Sequence, residues 1–177
     1  MAFLLRLFDI KTLYLPKKPN KMASQLKSLS EYSSKNLEDI SEKKFAIVVA
    51  EWNTTITEAL LNGAYDTLLK HGAKEENIII KTVPGSFELT LGAQLMATYA
   101  HAVICLGCVI QGETRHFDFI CDAVANGITN VGLKFNLPVI FGVRTPDNQQ
   151  QAEDRAGGKH GNKGVEAAIT AIKMLGF

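Results

Sequence analysis

Residues 102–120 read AVICLGCVIQGETRHFDFI, an unbroken apolar run that stops at a short polar segment before a second hydrophobic pattern begins. The run 102–110 carries no charge and is rich in Val and Ile, which predicts a strand buried on both faces of a parallel sheet. Ligands of such sheets bind just beyond the carboxyl ends of the strands. We therefore expect the functional groups of this chain in the loop 111–116.

The same alternation extends along the chain on both sides of this stretch. Further strands are predicted at 45–50, 78–83 and 139–144, and helices at 55–72, 86–99, 117–135, 145–156 and 162–175. A capping box at Thr55 and Glu58 and the pair Thr145 and Pro146 mark two of the helix starts. Strands that alternate with helices imply right-handed crossovers and a parallel sheet. The predicted fold class is α/β, a three-layer α/β/α sandwich around a four-stranded parallel sheet.

The first part of the chain differs from the rest, because an apolar start is followed by a Lys- and Ser-rich stretch without periodicity. We predict an N-terminal extension over residues 1–43, mobile at least to about residue 21, and one domain over 44–177. Met22 opens a plausible translation start. Because an open sheet has two bare edges, we expect the extension or a neighbouring subunit to cover one of them.

Composition narrows the function classes. The formal net charge is +1, so no global field favours nucleic acid or an anionic membrane as a partner. The three cysteines, an odd number, indicate a reducing compartment, and we expect a cytoplasmic protein. Arg6, Asp9 and Lys11 interrupt the apolar start, which argues against a signal peptide. Small-molecule chemistry is the favoured class.

Several candidate residues have a plain structural explanation beside a functional one. Cys105 and Cys108 form C-x-x-C, but residues three apart on a strand point to opposite faces, which favours buried thiols over a redox pair. The histidines lack the close pairing that zinc sites show, so we predict no metal. His116 lies where a strand end turns into a helix, a position that suits proton transfer, although position alone favours a surface histidine without a role. Trp52, just past a strand end, suits stacking on a planar ligand or a subunit contact.

Four motifs occur together in this chain: VPGSFELT at 83–90, LGCVIQGETRHFDFI at 106–120, LPVIFGV at 137–143 and EDRAGGKHGNKG at 153–164. Through their order and spacing, residues 45–175 resemble the lumazine synthases, the penultimate enzymes of riboflavin biosynthesis. The resemblance implies condensation of 5-amino-6-(D-ribitylamino)uracil with 3,4-dihydroxy-2-butanone 4-phosphate to 6,7-dimethyl-8-ribityllumazine. Phosphate and water are released, and no metal or organic cofactor is needed. The implied strand order is the flavodoxin-like 2-1-3-4.

The resemblance also assigns roles to residues. It implies that His116 is the catalytic proton shuttle and that Arg155 is the catalytic arginine that binds the substrate phosphate. Gly112, Glu113 and Thr114 complete the implied phosphate site. The implied contacts to the pyrimidine and the ribityl chain are Trp52, Asn53, Ser86, Phe87, Glu88, Val109, Ile110, Phe141 and Lys163.

The family's sites lie between neighbouring subunits of a homopentamer, so Phe141 and Arg155 are expected from the partner. The short GGKHG linker resembles that of members that form sixty-subunit shells, which could enclose riboflavin synthase as a partner enzyme. The chain departs from the family pattern in Gln111, where many members carry a basic residue, in the acidic Glu113, and in Trp52 in place of the commoner Phe. Two alternatives are a flavin-binding or shell-forming relative without catalysis and an archaeal-type riboflavin synthase.

Overall fold

The central sheet has four parallel strands in the order β2-β1-β3-β4. They are β1 (Phe45–Ala50), β2 (Ile78–Val83), β3 (Ala102–Cys108) and β4 (Val139–Arg144). The computed structural model describes residues 37–177. The predicted α/β sandwich, its parallel sheet and its strand order are confirmed. The expectations for the extension up to residue 36, namely its mobility, the start at Met22 and its covering of a sheet edge, lie outside the described residues.

Helices cover both faces of the sheet. α1 (Thr54–Lys70) and α5 (Lys163–Leu175) pack with Phe45, Ile47 and Ile104 in one apolar cluster. α2 (Leu89–Met96) and α3 (His116–Phe135) pack with Ala46, Val48 and other residues of the opposite face in a second cluster. Successive strand residues therefore serve opposite clusters, as the two-residue repeat of a strand requires. Both faces are buried, so the central strands are apolar throughout.

The segment before β1 contacts the first cluster. Ile40 is fully buried in it, and the backbone N–H of Lys43 donates to the Ile40 carbonyl over 3.0 Å. The side chain of His101 fixes the same region, because its Nδ1 accepts from the Lys44 backbone N–H at 2.8 Å. The chain thus enters β1 already packed against the domain.

Two of the predicted helix starts are wrong. α1 begins at Thr54, and the residue before it, Asn53, has a left-handed backbone with φ of 62°; the Thr55 capping box does not form. α4 (Gln149–Glu153) begins after Asn148, whose side chain accepts from the Gln151 N–H, instead of after Thr145. At both helix starts several polar residues are adjacent in the sequence, and tertiary contacts decide which of them precedes the helix.

Other elements differ from the prediction in length. β3 ends at Cys108, two residues before the end of the apolar run, and the segment predicted as one helix at 86–99 consists of a 3₁₀ turn (Ser86–Glu88) followed by α2. A hairpin of β5 (Ala156–Gly158) and β6 (Gly161–Asn162) occupies the GGKHG linker and was not predicted. Within residues 37–177, no helix is both long and apolar enough to cross a membrane.

The hairpin leads into α5 through a tight contact with α1. Asn162 accepts from the Gly164 N–H at 2.7 Å and donates to the Ala59 carbonyl at 2.7 Å. Gly164 lies so close to α1 that a Cβ there would overlap the carbonyl oxygen of Leu60. One asparagine and one glycine therefore fix where α5 begins relative to α1.

Candidate active site

An open pocket of about 610 Å³ lies at the carboxyl ends of β1, β2 and β3, where the sequence predicted the site. Most of the predicted pyrimidine and ribityl contacts line it, together with His116. The lining residues are Trp52, Asn53, Gly85, Ser86, Phe87, Glu88, Cys108, Val109, Ile110, His116 and Ile120. The wall is mainly apolar with a few polar groups at its rim, which is typical of a pocket for an organic ligand.

Backbone and side-chain hydrogen bonds tie the three strand ends together. The backbone N–H groups of Glu51 and Trp52 donate to the carbonyls of Val83 and Pro84, at 2.8 and 3.2 Å. The Asn53 side chain donates from Nδ2 to the Cys108 carbonyl at 2.8 Å, and for this reason it does not cap α1. The left-handed backbone of Asn53 turns the chain sharply, so that Trp52 stays at the pocket, where it is 73% exposed.

The turn 85–88 lies directly against β3. A Cβ on Gly107 would come within 2.6 Å of the Ser86 Oγ, so only glycine at 107 admits this approach. Ser86 is 5% exposed, and its Oγ has no hydrogen-bond partner within the described part of the chain. Phe87 and Glu88, by contrast, are exposed at the pocket. The turn therefore presents its aromatic ring and carboxylate to a ligand and buries its hydroxyl.

The loop 109–115 carries the predicted phosphate residues. Gly112, Glu113 and Thr114 are all exposed, and the space around Gly112 is open. The backbone N–H of His116 donates weakly to the Thr114 Oγ1 at 3.4 Å, at the start of α3. Asp118 in the first turn of α3 is paired with Arg115 at 3.6 Å, which partly balances its charge. Helix N–H groups and loop amides in this arrangement can receive an anion.

Phe141, Arg155 and Lys163 lie away from this pocket in the same chain. Phe141 is 39% exposed on the edge strand β4 and lines a separate groove with Leu133, Val139 and Met174. Arg155 follows α4, and its Nη1 donates to the Gln151 carbonyl at 3.0 Å. Lys163 begins α5 and its backbone N–H donates to the Arg155 carbonyl at 2.9 Å. The structure thus places Arg155 and Lys163 next to each other and Phe141 in a separate groove, all three outside the pocket.

A further arginine near Arg155 was not singled out by the sequence analysis. Arg144, at the end of β4, is half-buried and interacts electrostatically with Glu166 and Arg155. Glu166 is paired with Lys163, with Nζ and Oε1 2.5 Å apart. We call Arg144, Arg155, Lys163 and Glu166 the charged cluster. Arg144 was missed because it ends an otherwise apolar strand pattern and belongs to no quoted motif.

Gly85, Cys108 and Ile120 line the pocket although none was predicted as a contact. Gly85 and Cys108 directly precede the predicted residues Ser86 and Val109, and Ile120 lies about one helical turn beyond His116, so inspecting the neighbours of the predicted residues would have found them. Cys105 and Cys108 do lie in opposite clusters, which confirms that the C-x-x-C sequence is not a redox pair. Burial raises the pKa of Cys105 to about 12 and that of Cys108 to about 11, the latter opposed by the Arg144 charge.

Comparison with known proteins identifies the family. The family profile described as 6,7-dimethyl-8-ribityllumazine synthase matches residues 42–177. The chain belongs to this family. The lumazine synthase of Cytophaga hutchinsonii is 65% identical over 156 residues, which cover 87% of this chain and 98% of that protein. The lumazine synthase of Parabacteroides distasonis is 56% identical over 158 residues, with 88% and 99% covered.

More distant relatives keep the same name. The lumazine synthase of Flavobacterium johnsoniae is 51% identical over 155 residues, covering 86% of this chain and 82% of that protein. The match begins at residue 42, so both the pocket and the charged cluster lie within the lumazine synthase region. The expected family membership is confirmed.

Proposed function

We propose that this member of the lumazine synthase family forms 6,7-dimethyl-8-ribityllumazine in the pocket at the ends of β1, β2 and β3. The substrates are 5-amino-6-(D-ribitylamino)uracil and 3,4-dihydroxy-2-butanone 4-phosphate. The observation that carries this assignment is that Trp52 and Asn53, which follow β1, line one pocket together with His116, which begins α3. An aromatic ring for stacking, a polar side chain and a group that can transfer protons are therefore available at one place.

The flat pyrimidine stacks on Trp52, since its exposed indole face offers a large apolar contact. Val109 and Ile110 form the opposite wall through their half-buried side chains and backbone groups. Asn53 and Glu88 contact the polar edge of the ring and the ribityl hydroxyls, while Ser86 and Phe87 complete this side. Holding the ring fixes its amino group for attack, and orientation of this kind lowers the barrier of a two-substrate reaction.

The chemistry consists of proton transfers around bond changes at carbon. The amino group on the pyrimidine ring adds to the ketone, and water leaves to give an imine. Loss of a proton from this imine then expels phosphate. Finally, the ribityl-bearing nitrogen closes the second ring with loss of water. His116, at the rim of the pocket, takes and returns the protons. The loop 112–114 and the start of α3 receive the phosphate, Glu113 through its backbone amide.

Phe141, Arg155 and Lys163 reach the pocket from a neighbouring subunit. All three lie outside the pocket of their own chain, and Phe141 is exposed on an edge strand where an adjacent copy can contact it. A homopentamer with a site at each interface satisfies both observations. The short β5–β6 hairpin leads us to propose further that the pentamers assemble into a sixty-subunit shell with riboflavin synthase as a partner. The three free thiols lead us to propose a cytoplasmic location.

The first experiment mixes the two substrates with the purified protein and follows lumazine absorbance against the uncatalysed reaction. We expect His116→Ala to lower kcat about ten- to a thousandfold, because one proton-transfer group is lost. A rate equal to that of the wild type would remove His116 from the mechanism. Feeding lumazine alone and looking for riboflavin tests the archaeal-type alternative.

Shared sites are tested by complementation between inactive variants. Chains carrying His116→Ala and chains carrying Arg155→Ala are each expected to be impaired in homopentamers. Co-expressed, they form some interfaces that combine an intact pocket with an intact Arg155, and activity should rise above that of either variant alone. Separately purified variants, mixed without subunit exchange, are the control. No gain in the co-expressed sample would contradict a site built from two subunits.

A further inference from the structure

A row of large apolar side chains lies on the outer surface of the turn 85–88, α2 and the residues that follow it. Phe87, Leu91, Leu95 and Tyr99 succeed one another at intervals of four residues, and each is more than half exposed. Residues four apart share one side of a helix, so these side chains form a continuous surface, which we call the α2 ridge. The stretch 89–100 contains no charged residue. A helix side that faces water usually carries charges, which indicates that the α2 ridge is covered by another surface.

A second apolar surface lies along the edge strand β4. The groove beside Phe141, which we call the edge groove, has a volume of about 660 Å³ and lies between α3, β4 and α5. Leu133 and Met174 also line it, and both side chains are exposed. None of the residues that line the edge groove is charged. Covering it with another apolar surface therefore removes no charge from water.

Both surfaces begin at residues of the proposed site and extend away from it towards the amino ends of the strands. The α2 ridge begins with Phe87, which lines the pocket, and ends with Tyr99, shortly before β3 starts. The edge groove extends from Phe141 back to Leu137, ahead of β4. The α2 ridge spans about 18 Å, at 1.5 Å per helical residue, and the six residues of β4 span about 20 Å. The two surfaces therefore match in length as well as in their lack of charge.

The α2 ridge and the edge groove belong to different parts of one chain. α2 packs over β1 and β2, since a Cβ on its Gly92 would contact Val48 of β1 and Val83 of β2. The edge groove lies at β4, at the far end of the strand order β2-β1-β3-β4. A contact between two such different surfaces is head-to-tail, and when it is repeated around an axis it closes into a ring. A contact of ridge with ridge would stop at a dimer.

We propose that the α2 ridge of one copy of this chain docks into the edge groove of the next copy, with Phe141 of the second copy beside Phe87 of the first. The inference rests on the proposed function, in which Phe141 from a neighbouring subunit completes the pocket. It adds the surface that holds the copies together and the direction in which they follow one another. Leu95 and Leu133 belong to this contact and touch no substrate, so the contact is separable from the chemistry.

The test introduces a negative charge on either surface. Leu95→Glu disrupts the α2 ridge and Leu133→Glu disrupts the edge groove, because burying an unpaired carboxylate is unfavourable. We expect light scattering to find an assembly of several chains for the wild type and single chains for each variant. Lumazine formation should fall at least about tenfold, because the partner's groups are no longer held at the pocket. Leu69→Glu, the same change at an exposed leucine of α1, is the matched control and should keep the wild-type mass and rate.

A mixture of the two variants tests the head-to-tail contact directly. Leu95→Glu chains keep an intact edge groove and Leu133→Glu chains keep an intact α2 ridge, so the two form one contact and no ring. We expect a species of two chains that neither variant forms alone. Each pair contains one complete site, so the rate per chain should recover to about half of the wild-type value.

Two results would overturn the proposal. A single variant that keeps the wild-type mass would show that something other than a second copy covers the substituted surface. A mixture that remains monomeric would show that the α2 ridge and the edge groove do not bind each other. Unfolding curves check that each variant is folded, and Leu91→Glu and Met174→Glu test the same two surfaces if either first choice fails to fold.

Failure of this inference can be distinguished from failure of the proposed function, because mass and activity are measured separately. If the wild type assembles and the variants pair but no lumazine forms from the two substrates, the proposed function is wrong and the contact stands. If the wild type forms lumazine and the variants do not pair, the contact is wrong and the function stands.

Discussion

The pocket and the charged cluster lie at the same edge of the sheet and differ in almost every property. The pocket is concave, mainly apolar and formed by the ends of β1, β2 and β3. The charged cluster is built from the end of β4, Arg155 two residues after α4, and the first turn of α5. The pocket can hold a ring but is lined by a single basic residue, His116, whereas the cluster brings together three cationic side chains. Each is chemically incomplete alone, and this difference is the reason why we propose that a second copy completes the site.

The largest expected effect comes from disrupting the contact between α1 and α5, which positions the charged cluster. Gly164→Ala puts a Cβ into the Leu60 carbonyl, so α5 must move away from α1. We expect a loss of about 3 kcal/mol in the free energy of unfolding, at the upper end for overpacking, because backbone must shift. Denaturant unfolding measures it.

Gly112→Ala is the matched control for that substitution. A Cβ at Gly112, in the pocket loop, meets nothing within 4 Å, and its stability should change by less than about 0.5 kcal/mol. Equal losses in the two variants would mean that the α1–α5 contact does not limit the position of the cluster.

A smaller effect is expected on the pocket side, at Asn53. Asn53→Ala removes the hydrogen bond to the Cys108 carbonyl and places alanine in a left-handed backbone, so we expect about 2 kcal/mol of lost stability. Asn53→Gly removes the same hydrogen bond but tolerates the backbone, and should lose only about 1 kcal/mol. Thermal or denaturant unfolding of both variants separates the contribution of the hydrogen bond from that of backbone strain. Identical losses of stability would exclude a contribution from backbone strain.

The smallest effect concerns the two thiols of β3, whose surroundings differ. Because burial raises the pKa of each thiol in the folded protein, the unfolded chain releases protons first as the pH rises above about 9. The stability that the neutral thiols provide is present below that pH and declines above it, by roughly 1.5 kcal/mol per thiol between pH 8 and 10.

Unfolding curves of the wild type and of Cys105→Ala at several pH values measure this decline. The loss between pH 8 and pH 10 should be smaller in the variant, because one buried thiol is gone. An equal loss of unfolding free energy in the wild type and the variant across this pH range would show that Cys105 does not titrate differently in the folded and unfolded states.

The sequence identified the strands better than the ends of the helices. The strands 45–50, 78–83 and 139–144 agree with the structure because each apolar run is bounded by charged or turn-forming residues. Thr55 and Thr145 failed as helix starts because the choice among neighbouring polar residues depends on distant atoms, such as the Cys108 carbonyl that binds Asn53. The β5–β6 hairpin is too short and too rich in glycine to show any periodicity.

The sequence predicted the location of pocket residues where a suitable residue type coincides with a suitable position in the fold. Trp52 and His116 follow strand ends and lie at the pocket, as expected. That Phe141, Arg155 and Lys163 lie outside the pocket of their own chain does not follow from local pattern, because it depends on how far β4 and α5 lie from the other strand ends. Arg144 went unnoticed because a single charge at the end of an apolar strand has no sequence signature of burial.

The placement of the thiols makes this protein convenient to label. Cys105 and Cys108 are buried, whereas Cys121 is partly accessible on α3, and the chain contains these three cysteines. A maleimide dye under native conditions should therefore attach at a single, naturally occurring position on the outer layer of the sandwich. Because α3 begins at the pocket loop and runs to the groove beside Phe141, energy transfer between dyes on different subunits would follow assembly in real time without an engineered cysteine.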